Sequence, residues 1–193
     1  MTDAAELQET DPLLNQTPWR EVYGVHPAAE LFPPLTRAEL EELAADLKQR
    51  GMLMPVLARR RDDPGTGPEF EIVDGRSRLD AMTLAGLPLF DSEDGPAGPR
   101  IVAKFPMTLL ADDADPYAAA ISANIRRRHL SPGQRRDAIA KVLAARPEQS
   151  DRQVAKAFGV DHTTVGAVRR KAEATGGIPP VASALRRTAP TVV

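Results

Sequence analysis

The 193 residues include no cysteine, which excludes disulfides, zinc–thiolate sites and thiol nucleophiles and is compatible with a reducing cytoplasm. No stretch reaches the roughly eighteen consecutive apolar residues that a membrane helix needs. Met1 to Leu14 is acidic and polar, without the basic start and apolar run of a secretory leader. A soluble, cytoplasmic protein without a membrane partner is therefore expected. His26, His129 and His162 have no metal-like spacing and read as surface or packing residues, and no catalytic set stands out. No metal site and no catalytic residue are assigned.

What the chain does have is divided charge. The formal net charge is −2, yet residues 1–115 hold 11 Lys and Arg against 22 Asp and Glu, and residues 116–193 hold 14 against 5. Such asymmetry points to a polyanion as the partner of the C-terminal half, although a solvated basic helical surface would give the same count.

The first 21 residues lack periodicity and read as a flexible tail. Residues 22–112 alternate short strands with helices, the pattern of a small mixed α/β layer domain. Val22 to Leu31 reads weakly as a strand with its turn. Thr36-Arg-Ala-Glu39 is a capping box, and Leu40, Leu43 and Leu47 form the apolar stripe of a helix that Gly51 ends. Pro55 to Ala58, Phe70 to Val73 and Ile101 to Phe105 read as strands. Asp62 to Pro68 and Asp91 to Pro99 read as turn-rich loops.

From residue 113 to 176 only helices are expected. Asp115-Pro116 and Ser131-Pro132 each place a cap before a first-turn proline, and Gln134 completes a second capping box. Ile139, Val142 and Leu143 face inward, and Pro147 ends that helix. Residues 177–193, with glycine, proline and no periodicity, read as a second flexible tail.

The strongest constellation runs from Ser150 to Arg170 and reads as a helix-turn-helix. Ala155 is small where the second helix crosses the first, Gly159 takes the left-handed turn, and Val160, Val165 and Val168 plug the angle between the helices. Asp161 caps the second helix, which leaves His162, Thr163 and Thr164 at the end that meets base edges in a major groove. Arg152, Lys156, Arg169, Arg170 and Lys171 are the candidates for phosphate contacts, and Gly166 would let the helix approach DNA closely. A plain helical hairpin with a charged surface is the bland alternative.

A second constellation, Ile72-Val-Asp74-Gly75-Arg76-Ser77-Arg78-Leu-Asp-Ala81, runs from a strand through a glycine turn into a helix. Backbone N–H groups at such a helix start, with Arg76 and Arg78 beside them, suit an anion, while ordinary surface arginines at a capped turn fit equally.

With these parts in this order, Val22 to Gly176 resembles the ParB family, whose sulfiredoxin-like N-terminal domain precedes a helix-turn-helix domain. The resemblance also takes in Gly51-Met-Leu-Met-Pro55-Val. It implies an α+β chain: a small mixed α/β ParB/sulfiredoxin-like domain followed by an all-helical helix-turn-helix domain. The family's Gly-Glu-Arg-Arg-x-Arg-Ala box binds CTP, and a later Glu-Asn-x-x-Arg box assists with magnesium, so CTP and Mg are the cofactors implied. Gly75, Arg78 and Ala81 match the first box, whereas Arg76, Ser77 and Asp80 depart from it. Asn124 with Arg126 and Arg127 resembles the second, but Ala123 stands where its acid should be. Gly75, Arg76, Ser77, Arg78, Asn124, Arg126 and Arg127 are accordingly the nucleotide-binding candidates. Loss of the acid puts hydrolysis in doubt more than binding. Sulfiredoxin chemistry fails because Ser77 cannot replace its cysteine.

Arg126-Arg-Arg-His-Leu130-Ser131-Pro132 resembles the family's basic junction between domains, and Arg135 and Arg136 extend it as further phosphate candidates. Helix-terminal cations answering the dipole are the alternative for Arg126 to Arg128. The expected function is a non-enzymatic, nucleoid-associated protein that binds double-stranded DNA as a homodimer, and transcriptional regulation is the first reading. Plasmid, phage or chromosome partition, with CTP and a partner ATPase, is the alternative.

Overall fold

A computed structural model describes residues 19–63, 65–95, 98–125 and 130–178. The chain divides into two compact units. One runs through Ala29 and resumes at Pro34–Ala114; the other consists of Glu30–Pro33 and the chain from Asp115 onward.

The first unit begins with α1 (Trp19–Val22), β1 (Gly24–Val25) and a 3-10 turn at Pro27–Glu30. It continues with α2 (Arg37–Arg50), β2 (Val56–Arg60), β3 (Phe70–Asp74) and α3 (Arg76–Leu84). The strands β4 (Phe90–Gly95), β5 (Gly98–Ala103) and β6 (Met107–Leu109) complete it. A four-stranded sheet has the order β1-β3-β2-β6, and β4 and β5 form a separate hairpin. Strands β2 and β3 are antiparallel, whereas β1 on β3 and β6 on β2 are parallel.

Period-two burial decides β2: Val56 and Ala58 are wholly buried while Leu57 and Arg59 are only partly covered. Ile72 of β3, with Leu79 and Met82 of α3 and Leu47 of α2, closes a single apolar cluster. Helix α2 starts at a reciprocal cap, in which Glu39 N–H donates to Thr36 Oγ1 at 3.3 Å and Thr36 N–H donates to Glu39 Oε2 at 2.7 Å.

Two expectations need correction here. The tail does not extend to residue 21, because Trp19 is 2% exposed and begins α1. Asp91 to Pro99 is not a turn-rich loop, since β4 and β5 pair from Phe90↔Ala103 to Gly95↔Gly98. Asp and Gly disfavour strands intrinsically, but cross-strand pairing overrides them, aided by an ion pair of Glu93 with Arg100 at 2.9 Å.

The second unit is built from α4 (Pro116–Ile125), α5 (Pro132–Ala145), α6 (Asp151–Phe158) and α7 (His162–Ala174). Ser131 and Ser150 cap α5 and α6 through reciprocal bonds with Gln134 and Gln153. Ile139, Val142 and Leu143 of α5, Val154 and Phe158 of α6 and Val165 of α7 are at most 1% exposed. Ile178 is 3% exposed, so the packed unit includes at least the first residues of the segment read as a C-terminal tail. Among the described residues no helix is long and apolar enough to cross a membrane.

Candidate nucleic-acid interface

Helices α6 and α7 are joined by Gly159, Val160 and Asp161 alone. Gly159 has φ +62°, the left-handed conformation that glycine adopts without strain, and its N–H closes α6. Val160 N–H then donates to Ala155 O at 3.0 Å. Ala155 is buried, as is Val165, whereas Val160 and Val168 are only partly covered.

Asp161 accepts the backbone N–H of Thr163 at 2.8 Å and the Thr163 hydroxyl as well. These two hydrogen bonds hold the Asp161 carboxyl below the usual carboxylate range. They also engage the Thr163 hydroxyl proton, so this side chain offers an outside partner its oxygen lone pairs and methyl group. His162 and Thr163 are exposed and Thr164 is partly exposed. The three predicted reading positions therefore occupy one accessible helix end.

The predicted cations do not form one set. Arg152, Lys156, Arg170 and Lys171 are exposed. Arg135 and Lys156 line a cleft of about 740 Å³ with Ser122, Gln153 and Gly159. The Arg135 Nε is buried there without a hydrogen-bond partner. Arg136 and Lys171 instead line a second, more apolar depression of about 570 Å³ between α5 and α7, with Ala140, Val168 and Ile178. Arg126, Arg127, Arg128 and His129 lie outside the described residues.

Arg169 leaves the surface set altogether. Its side chain is 8% exposed; its Nε donates to Asp151 Oδ1 at 2.6 Å, Nη1 to Pro147 O at 3.1 Å and Nη2 to Gln149 O at 2.6 Å. Gly166 likewise serves the interior: a Cβ on it would stand 3.0 Å from Asp151 Oδ2. Gly166 thus also leaves room for the Asp151 carboxylate. Both roles rest on a carboxylate fifteen or more residues away, which helix periodicity alone does not reveal.

At the other constellation, Gly75 has φ +107° and begins α3 without a side-chain cap. A Cβ there would lie 2.7 Å from Arg78 Nη2 and 3.2 Å from Val56 Cα, so only glycine fits. Arg78 is folded back, donating from Nη2 to Asp74 Oδ2 at 2.9 Å and to Pro55 O at 3.1 Å. Arg76 and Ser77 are partly covered, and Asn124 donates to Ala120 O at 2.9 Å. Asp80, where the family box has arginine, accepts Trp19 Nε1 at 2.9 Å and Arg20 Nη1 at 2.7 Å. The substitution thus ties α1 onto α3.

Magnesium is poorly served by these groups. Ala123 offers no ligand, Asp74 is paired with Arg78, and among the described residues no three His, Asp or Glu side chains are grouped to hold a metal.

The geometry defines a class, an α+β protein in which a small mixed sheet unit precedes a helical unit with a tight helix–turn–helix end. Residues 28–92 match the ParB N-terminal domain. This match covers about a third of the chain and places a ParB N-terminal domain in the first unit. No curated protein matches it.

Among solved structures, the C-terminally truncated chromosome-partitioning protein ParB from Caulobacter crescentus complexed with CTP-gamma-S is 23% identical, with a TM-score of 0.39. That alignment covers 78% of this chain and 73% of the other. The same truncated protein complexed to the centromeric parS site is 24% identical, with a TM-score of 0.42 over 72% of this chain and 62% of that one. A Pnob8-like ParB-N domain is 17% identical, with a TM-score of 0.37 over 71% and 46%.

Proposed function

We propose that this chain binds double-stranded DNA site-specifically, inserting the N-terminal end of α7 into a major groove as a helix-turn-helix. The observation that carries this is the accessible His162–Thr164 end of α7, on a helix pair that also exposes the cations Arg152, Lys156 and Arg170. Thr164 and His162 read base edges; Arg152, Lys156, Arg170, and Arg135 in its cleft hold phosphates. Dimerisation supplies the second half-site that one helix-turn-helix needs for useful affinity.

The ParB N-terminal domain match over residues 28–92 supports partition at a centromere-like site over the transcriptional regulation expected first from the sequence. The glycine turn at the start of α3 is the candidate seat of a nucleotide phosphate, with CTP as its candidate ligand. Arg78 acts there as a strut beneath the turn, and hydrolysis is not assigned to this chain.

Selection from genomic fragments, at two salt concentrations and with and without CTP, tests the reading. A palindromic site enriched at both salts is expected, and CTP dependence would favour partition over regulation. Uniform binding lost with salt would mean phosphate contact alone. On the selected site Thr164→Ala should reduce discrimination at the base pair it contacts, by at most the about 1–3 kcal/mol typical of one mismatched base pair. Arg170→Ala should weaken selected and random duplex alike and reduce the salt slope by about one.

A further inference from the structure

The two ends of α7 are seated by different means. Its first turn is joined to α6 by three residues, with Val165 wholly buried behind it. Further along, Gly166 and Arg169, three residues apart on one helix face, both rest on the carboxylate of Asp151. Oδ1 accepts Arg169 Nε, and Oδ2 lies where a side chain on residue 166 would go. The remaining Arg169 nitrogens bond the carbonyls of Pro147 and Gln149, so one guanidinium ties α7 to the α5–α6 loop and to the first residue of α6.

We propose that Arg169 and Asp151 are positioning residues for sequence discrimination: they fix the roll of α7 about its axis, with Gly166 leaving the room they need. This rests on the DNA-reading role given to α7. The burial of Val165 helps to hold the helix in place, but apolar burial is non-directional. The forked hydrogen bonds select one rotation, and a part-buried ion pair of this kind is better suited to specifying a geometry than to adding stability. Base-edge hydrogen bonds need that rotation held within a narrow range, whereas phosphate contacts by long lysines and arginines tolerate a small roll. Disturbing the clamp should therefore erode discrimination and leave nonspecific binding in place.

The test uses the full chain, comparing dissociation constants on the selected duplex and on a random duplex of equal length at one salt concentration. Gly166→Ala is the main variant, because alanine raises helix propensity and the helix persists. Its methyl group would stand 3.0 Å from Asp151 Oδ2 and 3.4 Å from Arg170 Nη1, which presses the carboxylate off its position by a few tenths of an ångström. The ratio of the two constants should fall about tenfold or more, with circular dichroism and salt slope unchanged and with the amide resonances of His162 to Thr164 shifted. Arg169→Gln should do the same, and Arg169→Lys should not restore the ratio, since an ammonium cannot span three acceptors held by a planar fork. Wild-type ratios in Gly166→Ala and Arg169→Gln would overturn the positioning role while leaving α7 as the reader. Should Arg169→Gln lose helicity, the Gly166→Ala ratio decides alone. A wild-type chain with no preference would remove the DNA reading and this inference with it.

Discussion

Individual side chains in this protein are most informative where they face inward. Arg169 stands in a basic run with Arg170 and Lys171, and nothing in the sequence separates it from them, because its partners lie eighteen or more positions back in the chain. Trp19 posed the same difficulty. It lies beside an acidic, aperiodic segment, and its partner Asp80 is 61 residues away. Local pattern carries no trace of such a pair. Trp19 is nonetheless 2% exposed, with its indole N–H bonded to Asp80 and the Arg20 guanidinium 4.1 Å from its ring centroid. Trp19→Ala should lower the unfolding free energy by about 3–5 kcal/mol, the range for emptying a large buried aromatic site. Chemical denaturation followed by far-ultraviolet circular dichroism measures it. A loss below about 1 kcal/mol would show that α1 contributes little to the packed unit.

Elements were legible in proportion to how local their signals are. The caps of α2 and α5 are written in four consecutive residues each, and both form their reciprocal bonds. The β4–β5 hairpin was missed because aspartate, glycine and proline announce turns, while the pairing that makes these residues strands joins positions up to thirteen apart. The turn between α6 and α7 shows what a local signal is worth. Gly159 is left-handed, yet a Cβ there would meet nothing within 4 Å. Replacement therefore carries only the backbone penalty. Gly159→Ala should cost about 1–2 kcal/mol, and Gly159→Asn less, since asparagine tolerates that conformation. Thermal melting of the two variants checks the order. Equal loss in both would mean that the turn is strained by something other than its own φ.

For the molecule as a whole, the family boundary and the physical boundary differ, and the difference can be tested. The ParB N-terminal domain match starts at residue 28 and runs unbroken to 92, but Glu30–Pro33 clusters with the helical unit. Leu31 is 3% and Phe32 4% exposed, and Lys141 of α5 donates to Glu30 O at 2.7 Å. Sequence reading placed these four residues in the first domain because chain continuity was the only guide to where they belong. Burial of two large apolar side chains is worth about 1.5–3 kcal/mol each. The double substitution Leu31→Ala and Phe32→Ala should therefore destabilise the C-terminal helices. Hydrogen exchange resolved by mass spectrometry distinguishes the units: amides of α5 should exchange faster, with β2 and β3 as protected as before. Faster exchange in the sheet with α5 unchanged would return residues 30–33 to the N-terminal unit. The expected result has a practical consequence, since a C-terminal fragment cut at Asp115 would lack this segment. Weak DNA binding by such a fragment would then reflect a loosened helical unit rather than a poor reading surface.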